Sequence, residues 1–587
     1  MDLNLYKLNN FKMDLNKNFF DSEFPIAYLG EGELGGKAKG LEFIWSAISS
    51  EINVDEFLEF NITIPKMIVI RTDVFDSFMQ TNDLYKIALS EESDERIALA
   101  FQKAELPFNI LGDLQLIATE ITHPLAVRSS SLLEDALNAP FAGIYGTKMT
   151  PNNQFDIDSR FRKLIEAVKF VYASTFFKAP KNYIKATKHK TENEKMAVII
   201  QEVVGEKHDN KFYPEISGVA RSYNFYPAGN AKPEEGVVNL AFGLGKTIVD
   251  GGVSWAFSPA NPKKDPPFKS IKDMLKQTQL KFWSVNMGHV HEYDPINETE
   301  YLFEKYVTEA EDHGTLKELV STYDVAADRV WTGQSDDGPR ILTFAPILKS
   351  ETIPLNNLLK RMLKVCENAY KSPVEIEFAL TLNKFINKPD YKHKFGFLQV
   401  RPMVVSSEEV TIKDSEFKSE KALLSSDYVL GNGSINNLTD IVYLKIGNFQ
   451  AKYTYEIAEE LSIINKKFVS ENKKYLLIGF GRWGTTDPWA GIPVDWSQIS
   501  GAKVIVETSI EEMKQEMSQA SHFFHNISSF KVSYFSVPYT ESDSIDWDWL
   551  YDLETIEETR FIKHSKTKKP LKIKVDGRIG KGVILKA

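Results

Sequence analysis

The segment Leu125-Ala-Val-Arg-Ser-Ser-Ser-Leu-Leu-Glu-Asp135, continued by Ala139-Pro-Phe-Ala-Gly-Ile-Tyr-Gly-Thr147, constrains this chain more than any other stretch. Leu125, Ala126 and Val127 predict a short apolar strand that delivers Arg128 to its end. Beyond it, three serines and the small residues Ala142, Gly143 and Gly146 leave backbone amides free to face an anion. The guanidinium offers a planar fork to phosphate oxygens, and glycine lets a ligand approach the backbone closely. Taken alone, the same residues also describe an ordinary strand end at a protein surface.

At 587 residues the chain is too long for one core, and typical domain sizes predict roughly three to four folding units. It carries 70 basic and 81 acidic residues, a net charge of −11. That balance argues against a generic nucleic-acid binder. No apolar run approaches the length of a membrane span, and the N-terminus lacks the basic start and apolar core of a signal peptide. The single cysteine, Cys366, lies in the apolar repeat Leu355, Leu358, Leu359, Met362, Leu363 and is expected to be a buried, inert thiol. A reducing cytoplasm is the expected location, with neither nucleic acid nor membrane as a partner.

Residues 1–20 read as an N-terminal extension. In residues 21–195, strand-like Met67–Ile70 alternates with amphipathic helices such as the one carrying Phe161, Leu164, Ile165, Val168 and Tyr172. Residues 196–405 form a second unit, opened by the apolar run Met196–Val204 and closed by Phe395–Pro402. The charged stretch at 406–430 reads as a linker. Residues 431–587 then form a smaller α/β unit with strands at Tyr475–Ile478, Lys503–Val506 and Val532–Val537, and a terminal hairpin at Val575–Leu585. The predicted class is α+β.

Two further segments carry chemistry. Leu34-Gly-Gly-Lys-Ala-Lys-Gly40 precedes a helix with Leu41, Ile44, Trp45 and Ile48 on one side, so free amides, helix dipole and the Lys37 ammonium converge at its start. It is not a P-loop, because the spacing and the Lys-Ser/Thr pair are absent. Pro373-Val-Glu-Ile-Glu-Phe-Ala379 places Glu375 and Glu377 on one face of a strand, and Leu398-Gln-Val-Arg-Pro402 does the same for Gln399 and Arg401. A strand carboxylate can hold magnesium; it can equally be the polar face of a half-exposed strand.

In this order the segments resemble the ATP-binding domain shared by phosphoenolpyruvate synthases, pyruvate phosphate dikinases and rifampin phosphotransferases. The resemblance rests on Ala-Val-Arg-Ser-Ser…Glu-Asp…Phe-Ala-Gly, the Gly-Gly-Lys turn, Ile64–Thr72, Ser217-Gly-Val-Ala220, Glu-Ile-Glu and Leu-Gln-x-Arg-Pro. It implies a two-lobed, ATP-grasp-like nucleotide fold followed by the C-terminal α/β unit, with ATP and Mg2+ as cofactors. By the same resemblance, Lys37 and Arg128 bind ATP phosphates, Glu377 and Gln399 hold the metal, and Arg401 binds the transferring phosphate. Arg128, Arg401, Glu377 and Gln399 thus become the candidate catalytic residues, with Gly143 beside the phosphates and Gln201 and Glu202 as neighbours of adenine or ribose. Phe242–Gly251 resembles a family glycine motif but carries Lys246 where the family usually has Glu, which puts contacts at that point in doubt.

The resemblance ends near Pro402. No Thr-Ser-His carrier motif occurs, and the remaining residues, about 180, are too few for an eight-stranded barrel. The phosphate acceptor stays unassigned: the C-terminal unit would receive phosphate, bind the acceptor or dock a separate carrier protein. Ala520-Ser-His-Phe-Phe-His-Asn526 offers His522 and His525 either as phosphorus nucleophiles or as packed aromatic positions. Leu477–Trp496, with Arg482, Trp483 and Trp489 among glycines, builds either an anion nest or a rigid loop. The expected activity is an ATP-dependent, dikinase-type phosphotransferase; the alternative is a non-catalytic ATP sensor signalling through the C-terminal unit.

Overall fold

The computed structural model describes residues 12–586 apart from 53, 135–142, 186–189, 226, 228–230, 267, 269, 289–293, 336–337, 384–391, 406–409, 486–488, 490, 510–526, 528–529 and 538–544. Helices and sheets are mixed in an α+β arrangement. The first sheet has the order Lys12–Asp14, Ile26–Leu29, Met67–Ile70, Met196–Glu202, Leu125–Ser131, Thr147–Thr150. Met196–Glu202 is therefore an inner strand of this sheet, antiparallel to both neighbours, and not the opening of a second unit. Its continuous apolar run reflects burial on both faces: Val198 and Ile200 enter one core, Ala197 and Ile199 another.

The second sheet has the order Trp255–Phe257, Val237–Ala241, Ile216–Arg221, Val374–Thr381, His393–Pro402, Phe60–Thr63. Its last strand comes from the N-terminal part of the chain and pairs in parallel with His393–Pro402. The helix Gly35–Glu51 buries Leu41, Ile44 and Ile48 in the core shared by both sheets, where Leu355–Tyr370 also packs. Gly40 brings the helix close to the His393–Pro402 strand, where a Cβ would stand 3.3 Å from the Val400 carbonyl oxygen. Cys366 is fully buried in the same core, and burial pushes its thiol up. Residues on each side of 195/196 thus contribute to the sheet of the other, and a cut there would run through both cores.

The C-terminal sheet is nine-stranded and mixed. Asn432–Leu444, Tyr475–Phe480, Ala502–Thr508 and Ser533–Val537 run in parallel, and Ile562–Asp576 folds back antiparallel and turns into Lys581–Leu585. Ala422–Ser426 and Val429–Leu430, which lie in the expected linker, are strands of this sheet. The adjacent leucines outweigh the local polarity there, since Leu423 and Leu424 are both buried. The unit also touches the first sheet's helices: Phe530 stacks on Trp496 at 4.8 Å and meets Tyr183 at 6.0 Å. Among the described residues no helix is long and apolar enough to cross a membrane.

Two carboxyls are enclosed in these layers. Glu507 accepts a hydrogen bond from the Tyr534 hydroxyl, and burial pushes it up to about 7; Glu194, also buried, is raised to about 7. An unfolded chain ionises these groups near their ordinary value of 4.5, so between roughly 4.5 and 7 the folded protein binds more protons than the unfolded one. Stability from these groups is complete below that window and is lost as pH rises through it. Glu507→Gln is expected to remove a few kcal/mol of that loss. Melting curves at pH 5 and pH 8 should converge in the variant, more so with Glu194→Gln added; an undiminished gap would contradict the assignment.

Candidate functional site

The Leu125–Ser131 strand is longer than its apolar start suggests, and Arg128 sits in its middle rather than at its end. The serines continue the ladder to Met196–Glu202, and the Ser131 amide donates to the Glu134 carboxylate rather than to a ligand. Their hydroxyls pin the Gly35–Glu51 helix instead. Ser130 Oγ donates to the Leu34 carbonyl at 2.9 Å and accepts from the Ala38 amide at 3.1 Å. Gly35 has φ +73°, and a Cβ on it would lie 1.7 Å from the Ser130 carbonyl oxygen. Only glycine lets the helix start against this strand.

Lys37 is buried where helix and strand meet. Its Nζ pairs with Glu134 Oε1 at 2.7 Å and donates to Ser129 Oγ at 3.3 Å. Glu134, whose side chain is fully enclosed, also accepts from the Ser131 amide at 3.1 Å. The ammonium therefore reaches the residue next to Arg128, but with a carboxylate partner that spacing alone did not reveal.

Arg128 crosses from the first sheet to the second. It donates to Gln201 Oε1 at 3.3 Å in its own sheet, then to the Leu398 carbonyl at 3.1 Å and Gln399 Oε1 at 2.9 Å in the other. The antiparallel register sets Glu377 opposite Gln399 and Glu375 opposite Arg401. Glu377 Oε2 lies 3.7 Å from Arg128 Nη2, and its Oε1 lies 4.0 Å from Arg401 Nη2. Glu375 is held harder, by Arg401 Nε at 2.6 Å and by Arg221 Nε at 2.5 Å. Arg128, Gln201, Glu377, Gln399 and Arg401 thus come together as one cluster. Arg221 is a member the sequence reading missed; its signal is its register opposite Glu375 on the Ile216–Arg221 strand.

Other candidates fall outside this cluster. Glu202 follows Gln201 and faces away by the strand's two-residue period; burial raises its carboxyl, with His123, Lys66 and Lys394 as the nearby cations. Gly143 is an exposed turn glycine with φ +66° bordering 135–142, and no hydrogen bond among the described residues joins it to the cluster. Lys246 pairs with Asp250 at 2.8 Å and lies over the Trp283 ring. In the C-terminal unit, Trp483 is buried and donates to the Val506 carbonyl at 3.2 Å, a packing role, while Arg482 is partly exposed on the short strand Arg482–Trp483. His522 and His525 lie outside the described residues.

The glycine requirement gives a direct test. Gly35→Ala adds a left-handed backbone penalty and a clash with Ser130, together roughly 2–5 kcal/mol. Urea unfolding should show that loss, whereas Gly112→Ala, where a Cβ meets nothing within 4 Å, should not. Equal midpoints for the two variants would contradict the close approach.

Residues 31–422 match the family model described as pyruvate phosphate dikinase, AMP/ATP-binding domain. That span contains every residue of the arginine–carboxylate cluster and both of its sheets apart from Lys12–Asp14 and Ile26–Leu29, the first two strands of the first sheet. Among curated proteins, the chain is 25% identical over 203 residues to the uncharacterized phosphotransferase YvkC of Bacillus subtilis (strain 168). The match covers 35% of this chain and 22% of that protein. With about two thirds of its length inside the family model, this chain belongs to the family of the pyruvate phosphate dikinase AMP/ATP-binding domain.

Proposed function

We propose that the chain binds Mg-ATP where the two sheets meet and transfers phosphate from it to an acceptor. One observation carries the reading: three guanidinium groups, Arg128, Arg221 and Arg401, face two carboxylates, Glu375 and Glu377. The cluster therefore holds a surplus positive charge at the junction of two sheets, the chemistry a polyphosphate needs. Arg128 and Arg401 are the residues that neutralise phosphate oxygens, with Lys37 beside them. Gln201, bonded to Arg128, lies on the nucleotide side; Glu202 and Gly143 are supported less by the geometry.

The donors present fit magnesium. Glu375 is consumed by two arginines, but Glu377 is partly exposed and no closer than 3.7 Å to either guanidinium, so its oxygens are available beside the Gln399 amide oxygen. Glu377 and Gln399 would hold the ion, and the ion supplies charge neutralisation on the phosphates. Arg128 then orients phosphate across the two sheets while Glu375 keeps Arg401 and Arg221 in place. The acceptor is a small molecule or a separate carrier protein, served by the C-terminal unit. The single, buried cysteine supports the cytoplasmic location.

A second reading, an ATP sensor without turnover, is favoured by Lys246. It is a cation held by Asp250, at the position where the resemblance to the dikinase glycine motif implies Glu. Incubating the protein with Mg2+ and ATP labelled at the β or γ position separates the two: AMP or ADP with transferred label supports the phosphotransferase, and binding without turnover supports the sensor.

Arg128→Ala should weaken Mg-ATP binding roughly ten- to hundredfold, the worth of a charge-assisted contact. Lys37→Ala is a less clean probe, since it strands buried Glu134 and costs about 3–5 kcal/mol of stability. Glu377→Gln should retain nucleotide binding in calorimetric titration but lose most Mg-dependent turnover. Unchanged titrations for Arg128→Ala would remove the site from this cluster, and undiminished turnover in Glu377→Gln would move the metal elsewhere.

A further inference from the structure

We infer that the hairpin at Glu206–Glu215 is a binding site for one divalent transition-metal ion of the zinc class, separate from the nucleotide cluster. Glu206 and His208 lie two apart on the strand Glu206–His208, and the return strand Lys211–Tyr213 brings the chain back so that Glu206 faces Tyr213 and His208 faces Lys211. Glu215 follows two residues after Tyr213. The two-residue period places Glu206, His208 and Glu215 on one face of the hairpin. One donor atom from each of the three lies within 4.8 Å of the others.

The separations suit a shared ion. Zinc holds nitrogen and carboxylate oxygen at about 2.0–2.2 Å, which sets two ligands of a tetrahedral site roughly 3.4 Å apart. His208 Nε2 and Glu215 Oε1 are 3.8 Å apart, and rotation of the partly buried Glu206 side chain closes the third side. An imidazole with two carboxylates selects zinc-like ions over magnesium, which prefers oxygen alone. Three protein ligands leave the fourth position for water.

The neighbouring side chains fix the orientation of these ligands, as the partners of metal-bound side chains do. The His208 ring is stacked on His313 at 5.2 Å and 15°, and lies against Tyr213 at 4.9 Å. His313 has its own partners, Tyr213 Oη at 2.7 Å and Asp209 Oδ2 at 3.3 Å, and so acts as a support. The second oxygen of Glu215 accepts the Leu382 amide at 3.0 Å, which fixes the carboxylate. Lys211, on the same face, lies 3.7 Å from Glu309. The hairpin belongs to the connection between Met196–Glu202 of the first sheet and Ile216–Arg221 of the second, so an ion here stiffens the link between the sheets that carry Gln201 and Arg221.

The test uses untagged full-length protein stripped with chelator and titrated with Zn2+ alone, without nucleotide or Mg2+. Calorimetry and metal analysis after desalting should give one Zn2+ per chain, and Co2+ in its place should give the visible absorption of a four-coordinate ion. His208→Ala and Glu215→Gln are expected to weaken Zn2+ binding more than about a hundredfold, beyond the effect of losing an outer-shell partner. Glu377→Gln should bind Zn2+ as wild type does, which separates this site from the nucleotide cluster. Should the two buried substitutions impair folding by circular dichroism, Glu206→Gln, on the partly exposed ligand, decides. No stoichiometric Zn2+ in wild type, or unchanged affinity in Glu206→Gln, would overturn the proposal and leave His208 and Glu215 as an ion pair.

Discussion

Arg128 is the bond on which the junction of the two sheets depends. Its guanidinium takes one acceptor from its own sheet and two from the strand His393–Pro402, so the separation and register of the sheets are set by a planar fork with fixed donor directions. A lysine could not do this, because a point charge imposes no orientation on three acceptors. The same geometry brings Glu377 and Gln399 to the guanidinium, and a group that joins the halves is also positioned to read whatever lies between them.

Burial explains why the charges around Arg128 come in partnered sets. An unpaired ion in a protein interior is costly, and removing one member of a buried pair leaves the other stranded. Glu134 answers Lys37 at the start of the Gly35–Glu51 helix, and Glu375 answers both Arg221 and Arg401. Glu375 is thereby a positioning residue for two arginines, whereas Glu377, more loosely held, keeps free oxygen lone pairs. The two carboxylates two residues apart look alike on paper, and their neighbours make them different.

The C-terminal unit follows another logic. Four parallel strands and a long antiparallel return enclose two apolar layers, and Glu507 with Tyr534 is a polar pair inside them. Trp483, set among glycines that resemble an anion nest, is committed to packing: a Cβ on Gly479 would stand 2.4 Å from its ring. The glycines there make room for an indole as well as for any ligand near Arg482.

Residue order and periodicity determined much of this protein. The helix starting at Gly35, the Glu375/Glu377 and Gln399/Arg401 faces, the C-terminal strands and the terminal hairpin all follow from local patterns of two or three to four residues, because a strand or helix repeats its side chains at fixed intervals. Only the tertiary structure decided which patterns meet. Sheet membership depends on pairing between segments far apart in sequence, so Met196–Glu202 joined the first sheet, Phe60–Thr63 the second, and the polar-looking Ala422–Ser426 the third. The partners of buried charges are set the same way. Lys37 met Glu134 and Arg221 met Glu375 through contacts spanning 97 and 154 residues, distances over which no local spacing rule carries information, while the cost of isolating a charge still demands that a partner be found.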